Sequence, residues 1–314
     1  MNFGIPYMGN KSEIVKSLAL NFPKAENFYD LFGGGFSVTH YMITNKSNSY
    51  KYFHYNELIP STVELVKRAI NGEFNYTKFK PEWISREDFF KRIDDPYVRI
   101  IWSFGNNQKD YLFGKDIESY KKSMHMAVVF DQFDETAKKV LGFNVWPKDV
   151  STIRARRAYL AQKIKFDLKK NCKQLQQLQQ LQQLQQLEQL QRLERLQQLE
   201  QLERLQQLER LQQLQRLTLT SLDYREVEIK PNSVVYCDIP YKGTAEYIKE
   251  FDHKAFFDWA SSRPFPVYIS EYHISDPRFK LVYSVKKSVK LSQTNQHKTS
   301  DDKEKLYWNG VILP

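Results

Sequence analysis

The chain has 314 residues, 41% of them hydrophobic, which is enough for one large domain or a core domain with an elaboration. Lys and Arg number 47 against 37 Asp and Glu, and the formal net charge of +10 suits a polyanionic partner, nucleic acid before any other. Cys172 and Cys237 stand in unrelated contexts, which excludes a disulfide framework or a CxxC metal site and fits a reducing cytoplasm.

No basic-then-apolar leader opens the sequence, and no apolar run reaches membrane-spanning length, so a cytoplasmic protein without membrane or metal partners is expected. Residues 5–13 predict a tight turn at Gly9-Asn10 that opens an amphipathic helix with Ile14, Val15, Leu18 and Leu20 as its stripe. Lys11 near that helix start opposes the helix dipole, which suggests a second task such as meeting a carboxylate; a solvated lysine is the alternative. An aromatic strand, Asn27-Phe28-Tyr29-Asp30-Leu31-Phe32, then runs into Gly33-Gly34-Gly35, and a helix passes through Val38 to Ile43. Glycines at a strand-to-helix turn allow close backbone approach and expose amides, as a nucleotide-like cofactor needs, although GxGxxG is not met. A second strand over Tyr52 to Tyr55 leads into Asn56-Glu57, and Pro60-Ser61-Thr62 starts a helix reaching Ile70. An acid at the end of the second strand is where such folds hold ribose hydroxyls.

From about residue 74 to 172 the alternation of strand and helix is lost. The amide-rich run at 103–111, flanked by aromatics, offers Asn106, Asn107 and Lys109 to base edges or a pocket mouth. A basic helical stretch holds Arg154, Arg156 and Arg157 with Lys163, Lys165, Lys169, Lys170 and Lys173, against Asp167 as its sole local counter-charge. Phosphate contact and a solvated helix face are both open there. Leu175 to Leu217 repeats Leu at every third position between Gln, Glu and Arg. At about 100° per residue the leucines drift by about 60° per repeat, so a long helix would carry them all round its surface. A stacked turn of period three and partial disorder are both open as well, and the tract reads as a low-complexity insertion without catalytic residues and as a candidate surface for self-association.

Val234-Val235-Tyr236-Cys237 reads as a buried strand that stops at Asp238-Ile239-Pro240-Tyr241. Asp238 and the free Ile239 carbonyl are two acceptors for an exocyclic amine, and Tyr241 is a flat face for a base. A helix over 253–261 and a strand over 266–271 follow, then a hairpin within 279–291, a polar loop over 292–303 and a last strand over 305–309.

In this order the segments resemble the Dam-type, D12 class DNA adenine N6-methyltransferases of phages and restriction–modification systems. Tyr7-Met8-Gly9-Asn10-Lys11 is similar to that family's amino-terminal motif, Phe32-Gly33-Gly34-Gly35 to its cofactor loop, Asn56-Glu57 to its ribose-binding acid, and Asp238-Ile239-Pro240-Tyr241 to its Asp-Pro-Pro-Tyr. The resemblance implies an α/β, Rossmann-like S-adenosylmethionine-dependent core with an inserted, mostly helical target-recognition region. Its expected layout is a catalytic core at 1–73 and 222–314, recognition at 74–174 and the repeat at 175–217. Tyr7, Lys11, Asp30, Phe32, Gly33, Gly35, Glu57 and Asp238 would hold S-adenosylmethionine. Asp238, Ile239, Pro240 and Tyr241 would be catalytic, acting on a flipped-out adenine in duplex DNA, with no metal. Ile239 departs from the family's proline. That leaves a silent DNA-binding protein as one alternative and a methyltransferase acting on RNA adenine, cytosine N4 or a protein amide as another.

Overall fold

A computed structural model of the chain describes residues 2–163, 196–211, 215–241, 251–286 and 303–313. They divide into two compact units, residues 1–72 with 204–314, and residues 73–203.

The first unit is built on a seven-stranded sheet in the order β3-β2-β1-β4-β5-β7-β6. Its strands are β1 Asn27–Asp30, β2 Tyr52–Asn56, β3 Leu217–Thr220, β4 Ser233–Cys237, β5 Val267–Glu271, β6 Lys280–Lys286 and β7 Lys303–Trp308. The first five run parallel, and β7 lies antiparallel between β5 and β6. Every residue of β1, β4 and β5 is buried, as parallel strands covered on both faces require. The edge strand β3 has no buried residue. Phe256, Ala260 and Phe279 pack on Val235, Cys237 and Ile269 to form one apolar cluster of this unit. Asp252 caps the helix His253–Ser261 by accepting from Ala255 N at 2.9 Å.

Residues 73–203 are mostly helical among the described residues, with helices at Arg86–Lys91, Pro96–Ile101, Glu118–Phe130, Glu135–Leu141 and 153–163 and one isolated antiparallel bridge between Ser103 and Tyr111. Val128, Leu141, Trp146, Ile153, Leu160 and Leu199 share their core.

Several expectations change. Leu20 is 74% exposed, because the first helix is a single turn, Val15–Leu18, and its buried stripe ends at Ala19. Residues 280–286 are one strand whose antiparallel partner is β7, so no hairpin turns within 279–286. Leu217 belongs to β3 rather than to the repeat, since its pairing with Phe53 adds an edge to the sheet. The part of the repeat at 175–195 and the lysines at 165–173 lie outside the described residues, as does the loop at 292–302. In the described part, Leu196, Leu199, Leu202, Leu205, Leu208 and Leu211 are all buried. Across the helix Gln197–Gln206 the drift from Leu199 to Leu205 is only about 120°, still one face. From Gln207 to Leu211 the chain tightens into a 3-10 helix, whose three residues per turn match the repeat and stop the drift.

Candidate active site

Strand order reverses between β1 and β4, and in an open α/β sheet the ligand crevice lies at the carboxyl ends beside such a reversal. Three acids stand there. Asp30 is the last residue of β1, Glu57 follows β2, and Asp238 follows β4. The ends are aligned by register, with Asp30 opposite both Tyr55 and Tyr236.

The glycine turn is packed from both sides by tyrosines. A Cβ on Gly33 would lie 2.2 Å from the Tyr55 ring, and one on Gly35 2.4 Å from the Tyr7 Cβ. Gly34 adopts φ +44°, donates its N–H to Glu57 Oε2 at 2.9 Å, and accepts from the Tyr55 hydroxyl at 2.7 Å. Glu57 Oε1 also accepts from Ile59 N at 3.1 Å. The turn is therefore set by the side chains of the second strand and its end. Phe32, partly buried, lies edge-on to Phe251 and Phe256 and packs against the unit's apolar cluster. Asn56, buried beside Glu57, uses its amide as a bracket: it donates to the Leu31 and Leu222 carbonyls and accepts from Leu222 N and the Thr220 hydroxyl.

Asp30 is buried, and its Oδ2 accepts from the Thr39 amide at 3.2 Å and hydroxyl at 2.7 Å. That bond anchors the helix Ser37–Asn45 beneath the glycine turn. Burial, with smaller additions from Asp238 and Glu57, pushes the Asp30 carboxyl up to about 7 against the two Thr39 bonds. Burial likewise raises Glu57, and the Asp238 charge adds to it. The three acids thus feel one another across the crevice.

Lys11 is the hub. It is 3% exposed, and its Nζ lies 2.9 Å from Asp238 Oδ1, 3.0 Å from Glu304 Oε1 and 2.6 Å from the Tyr241 hydroxyl oxygen. Burial alone would lower its pKa, but the two carboxylates outweigh burial and raise it, so Lys11 is a cation. Tyr241 donates its hydroxyl to Glu304 Oε1 at 3.0 Å. Burial and the charges of Asp238 and Glu304 raise the phenol far above its ordinary range, so it stays neutral. The Tyr241 ring also meets Tyr272 edge-on, with centroids 4.6 Å apart. Pro240 presents its carbonyl to His253 Nε2 at 2.8 Å, and the Ile239 side chain is buried in the apolar cluster.

Glu304 was not among the residues picked out by pattern. It shares one face of β7 with Leu306, two residues on and equally buried, and that alternation was the available signal.

The residues expected to meet DNA separate into two kinds. Arg156 is 8% exposed. Its guanidinium donates to the Val128 carbonyl and to Asp131 Oδ2 at 2.9 Å and lies over the Trp146 ring. It is a packing residue, which corrects its reading as a phosphate contact. Ile153 and Leu160 flank it at helical spacing, which put it on the apolar face. Arg157 pairs with Glu200 and Glu203, so the counter-charges of this helix come from other segments. Asn106 donates to the Ile100 carbonyl and to Gln201, and Asn107 closes an Asx turn onto Lys109 N and Asp110 N. Asn107 thus holds the loop itself, and Asn106 also ties it to Gln201 of the helix Gln197–Gln206. Lys109 and Arg154 are exposed.

Among the described residues no group of three or more His, Cys, Asp or Glu is placed to hold a metal ion, and no helix is long and apolar enough to cross a membrane. A sequence model of the D12 class N6 adenine-specific DNA methyltransferases matches residues 7–263, and no curated protein matches the chain.

Proposed function

This chain belongs to the D12 class N6 adenine-specific DNA methyltransferases, and we propose that it methylates adenine N6 in a specific duplex sequence, on a base flipped out of the helix. Methyltransferases of this family use S-adenosylmethionine, which when bound supplies an electrophilic sulfonium methyl. The crevice suits such a cation. Asp30, Glu57 and Asp238 raise or are raised by one another's charge, and a bound positive group relieves that repulsion. Both Glu57 oxygens keep lone-pair capacity for ribose hydroxyls beyond the amide bonds they already accept.

The observation that carries the reading is the contact of Lys11 with both Asp238 and Tyr241, which joins the amino-terminal motif to the tetrapeptide at the sheet's reversal. The adenine amine is a poor nucleophile because its lone pair is spread into the ring. Asp238 and the Ile239 carbonyl would accept hydrogen bonds from its two N–H groups and localise the lone pair toward the methyl, while Tyr241 stacks on the base. Rate then comes from positioning and fixed dipoles. The family's proline gives way to isoleucine at 239, but the group required is a carbonyl. Burial of the Ile239 side chain and the His253–Pro240 bond supply rigidity that proline would otherwise give. Lys109 and Arg154 are the exposed cations we assign to phosphate contact.

The test is tritiated methyl transfer to unmethylated genomic DNA with Asp238→Ala alongside, followed by nucleoside analysis. N6-methyladenine from the parent and none from the variant is expected, and 2-aminopurine at the target should brighten on binding. Label in RNA or on cytosine N4 would replace the substrate. Cofactor binding without label in any nucleic acid would sink the reading.

A further inference from the structure

Glu304 lies on β7, beyond the stretch of the chain matched by the family and outside every motif that carries the resemblance. Its surroundings are unusual for an acid. It is 0% exposed, and a carboxylate removed from water is costly unless its partners compensate. One oxygen, Oε1, meets both Lys11 Nζ and the Tyr241 hydroxyl at 3.0 Å. An ammonium has three N–H groups, and those of Lys11 are matched by Asp238, Glu304 and the Tyr241 oxygen. The phenol oxygen accepts from Lys11, and its own hydroxyl donates to Glu304. The ring that would carry the base is thereby held at its far end by Lys11 and Glu304.

The strand that bears Glu304 is itself held firmly. β7 is paired on both sides, with Val285 opposite Glu304 on β6 and Glu271 opposite Lys305 on β5. A supporting residue held rigidly in this way keeps a reacting geometry within fractions of an ångström. Charge matters as well. Lys11 carries one positive charge between two carboxylates, so its attraction is divided. Were Asp238 its sole anionic partner, the ion pair would draw electron density from the oxygen that must accept the amine hydrogen.

We propose that Glu304 is a positioning residue for methyl transfer: it fixes the Tyr241 ring through the hydroxyl and takes a share of the Lys11 charge, leaving Asp238 a strong acceptor. This rests on the roles given above to Asp238 and Tyr241. A purely structural Glu304 would serve only to neutralise Lys11, and its loss would lower stability without altering turnover in the protein that remains folded.

Glu304→Gln keeps the shape and the oxygen acceptor but removes the charge. The expected result is a kcat lowered by about 10- to 100-fold with S-adenosylmethionine Kd within about threefold of the parent. Tyr241→Phe deletes the hydroxyl through which Glu304 acts. In that background Glu304→Gln should cost less than half of its effect, on a logarithmic scale, in the parent. The 2-aminopurine signal of the flipped base should also change in Glu304→Gln, because it reports stacking on Tyr241. Parental kcat and an unchanged signal in the folded variant would overturn the proposal, as would fully multiplicative losses in the double variant. If Glu304→Gln does not fold, Glu304→Asp, which keeps the charge but withdraws it, is measured by the same kcat and Kd split. Asp238→Ala separates the two levels of inference. An inactive Asp238→Ala beside a fully active Glu304→Gln removes only the role of Glu304, whereas full activity in Asp238→Ala removes the site assignment beneath it.

Discussion

Lys11 balances two acids with one charge, so its removal is felt more than that of any exposed lysine. Lys11→Met would leave Asp238 and Glu304 without their shared cation, and a stability loss of about 3–5 kcal/mol is expected from urea unfolding at pH 8. The deficit should narrow as pH falls, because protonating the carboxylates removes the uncompensated charge. Asp30 gives a pH dependence of defined sign. Its folded value of about 7 lies above the ordinary 3.8, so the folded protein holds a proton that the unfolded chain has already released. Its contribution to stability is fully present below about pH 4, is lost as pH rises to about 7, and is level above that. Asp30→Asn should remove this slope in unfolding curves measured from pH 4 to 8. Binding of a cationic cofactor favours the ionised acid, so parental affinity should climb through about pH 7 and the variant's should not.

At the scale of elements, the glycine turn and the repeat show how one pattern can serve two ends. Three glycines were expected to open the backbone to a ligand. Gly33 and Gly35 are also required because the Tyr55 ring and the Tyr7 Cβ occupy the space an added Cβ would need. Nothing local to the turn announces those side chains. One long helix would carry the leucines of the repeat on every side, and its described end instead buries Leu196, Leu199, Leu202, Leu205, Leu208 and Leu211 through a short helix and a 3-10 turn of period three. Leu202→Ala should therefore cost about 2–5 kcal/mol in thermal or urea unfolding, as a cavity in a filled core does. Gln197→Ala, at an exposed position of the same helix, should stay within about 0.5 kcal/mol.

For the whole molecule, the net charge of +10 bears on how DNA is held. Binding should weaken steeply with salt, as phosphate neutralisation releases counterions. Lys109→Gln and Arg154→Gln should each lower the slope of log K against log salt by about 1, measured by fluorescence anisotropy. Arg156→Gln should leave that slope unchanged and lower the melting temperature, since its charge is spent on Asp131 and the Val128 carbonyl. Two arginines two residues apart on one helix thus part company by the face they occupy.

Local chemistry in the sequence determined the α/β class, the strand ends that carry Asp30, Glu57 and Asp238, and the glycine turn. Each depends on short-range periodicity, on residues that break a strand, or on glycine, and all of these are written within a few positions. The order of the motifs determined the family. Tertiary structure alone decided that β7 lies between β5 and β6, and with it that Glu304 reaches Lys11 and Tyr241. It also decided that Arg156 turns inward onto Asp131 and that Asn106 reaches Gln201. Those outcomes depend on which distant strand or helix supplies the partner, and pairing across long chain separations leaves no mark in a neighbouring residue.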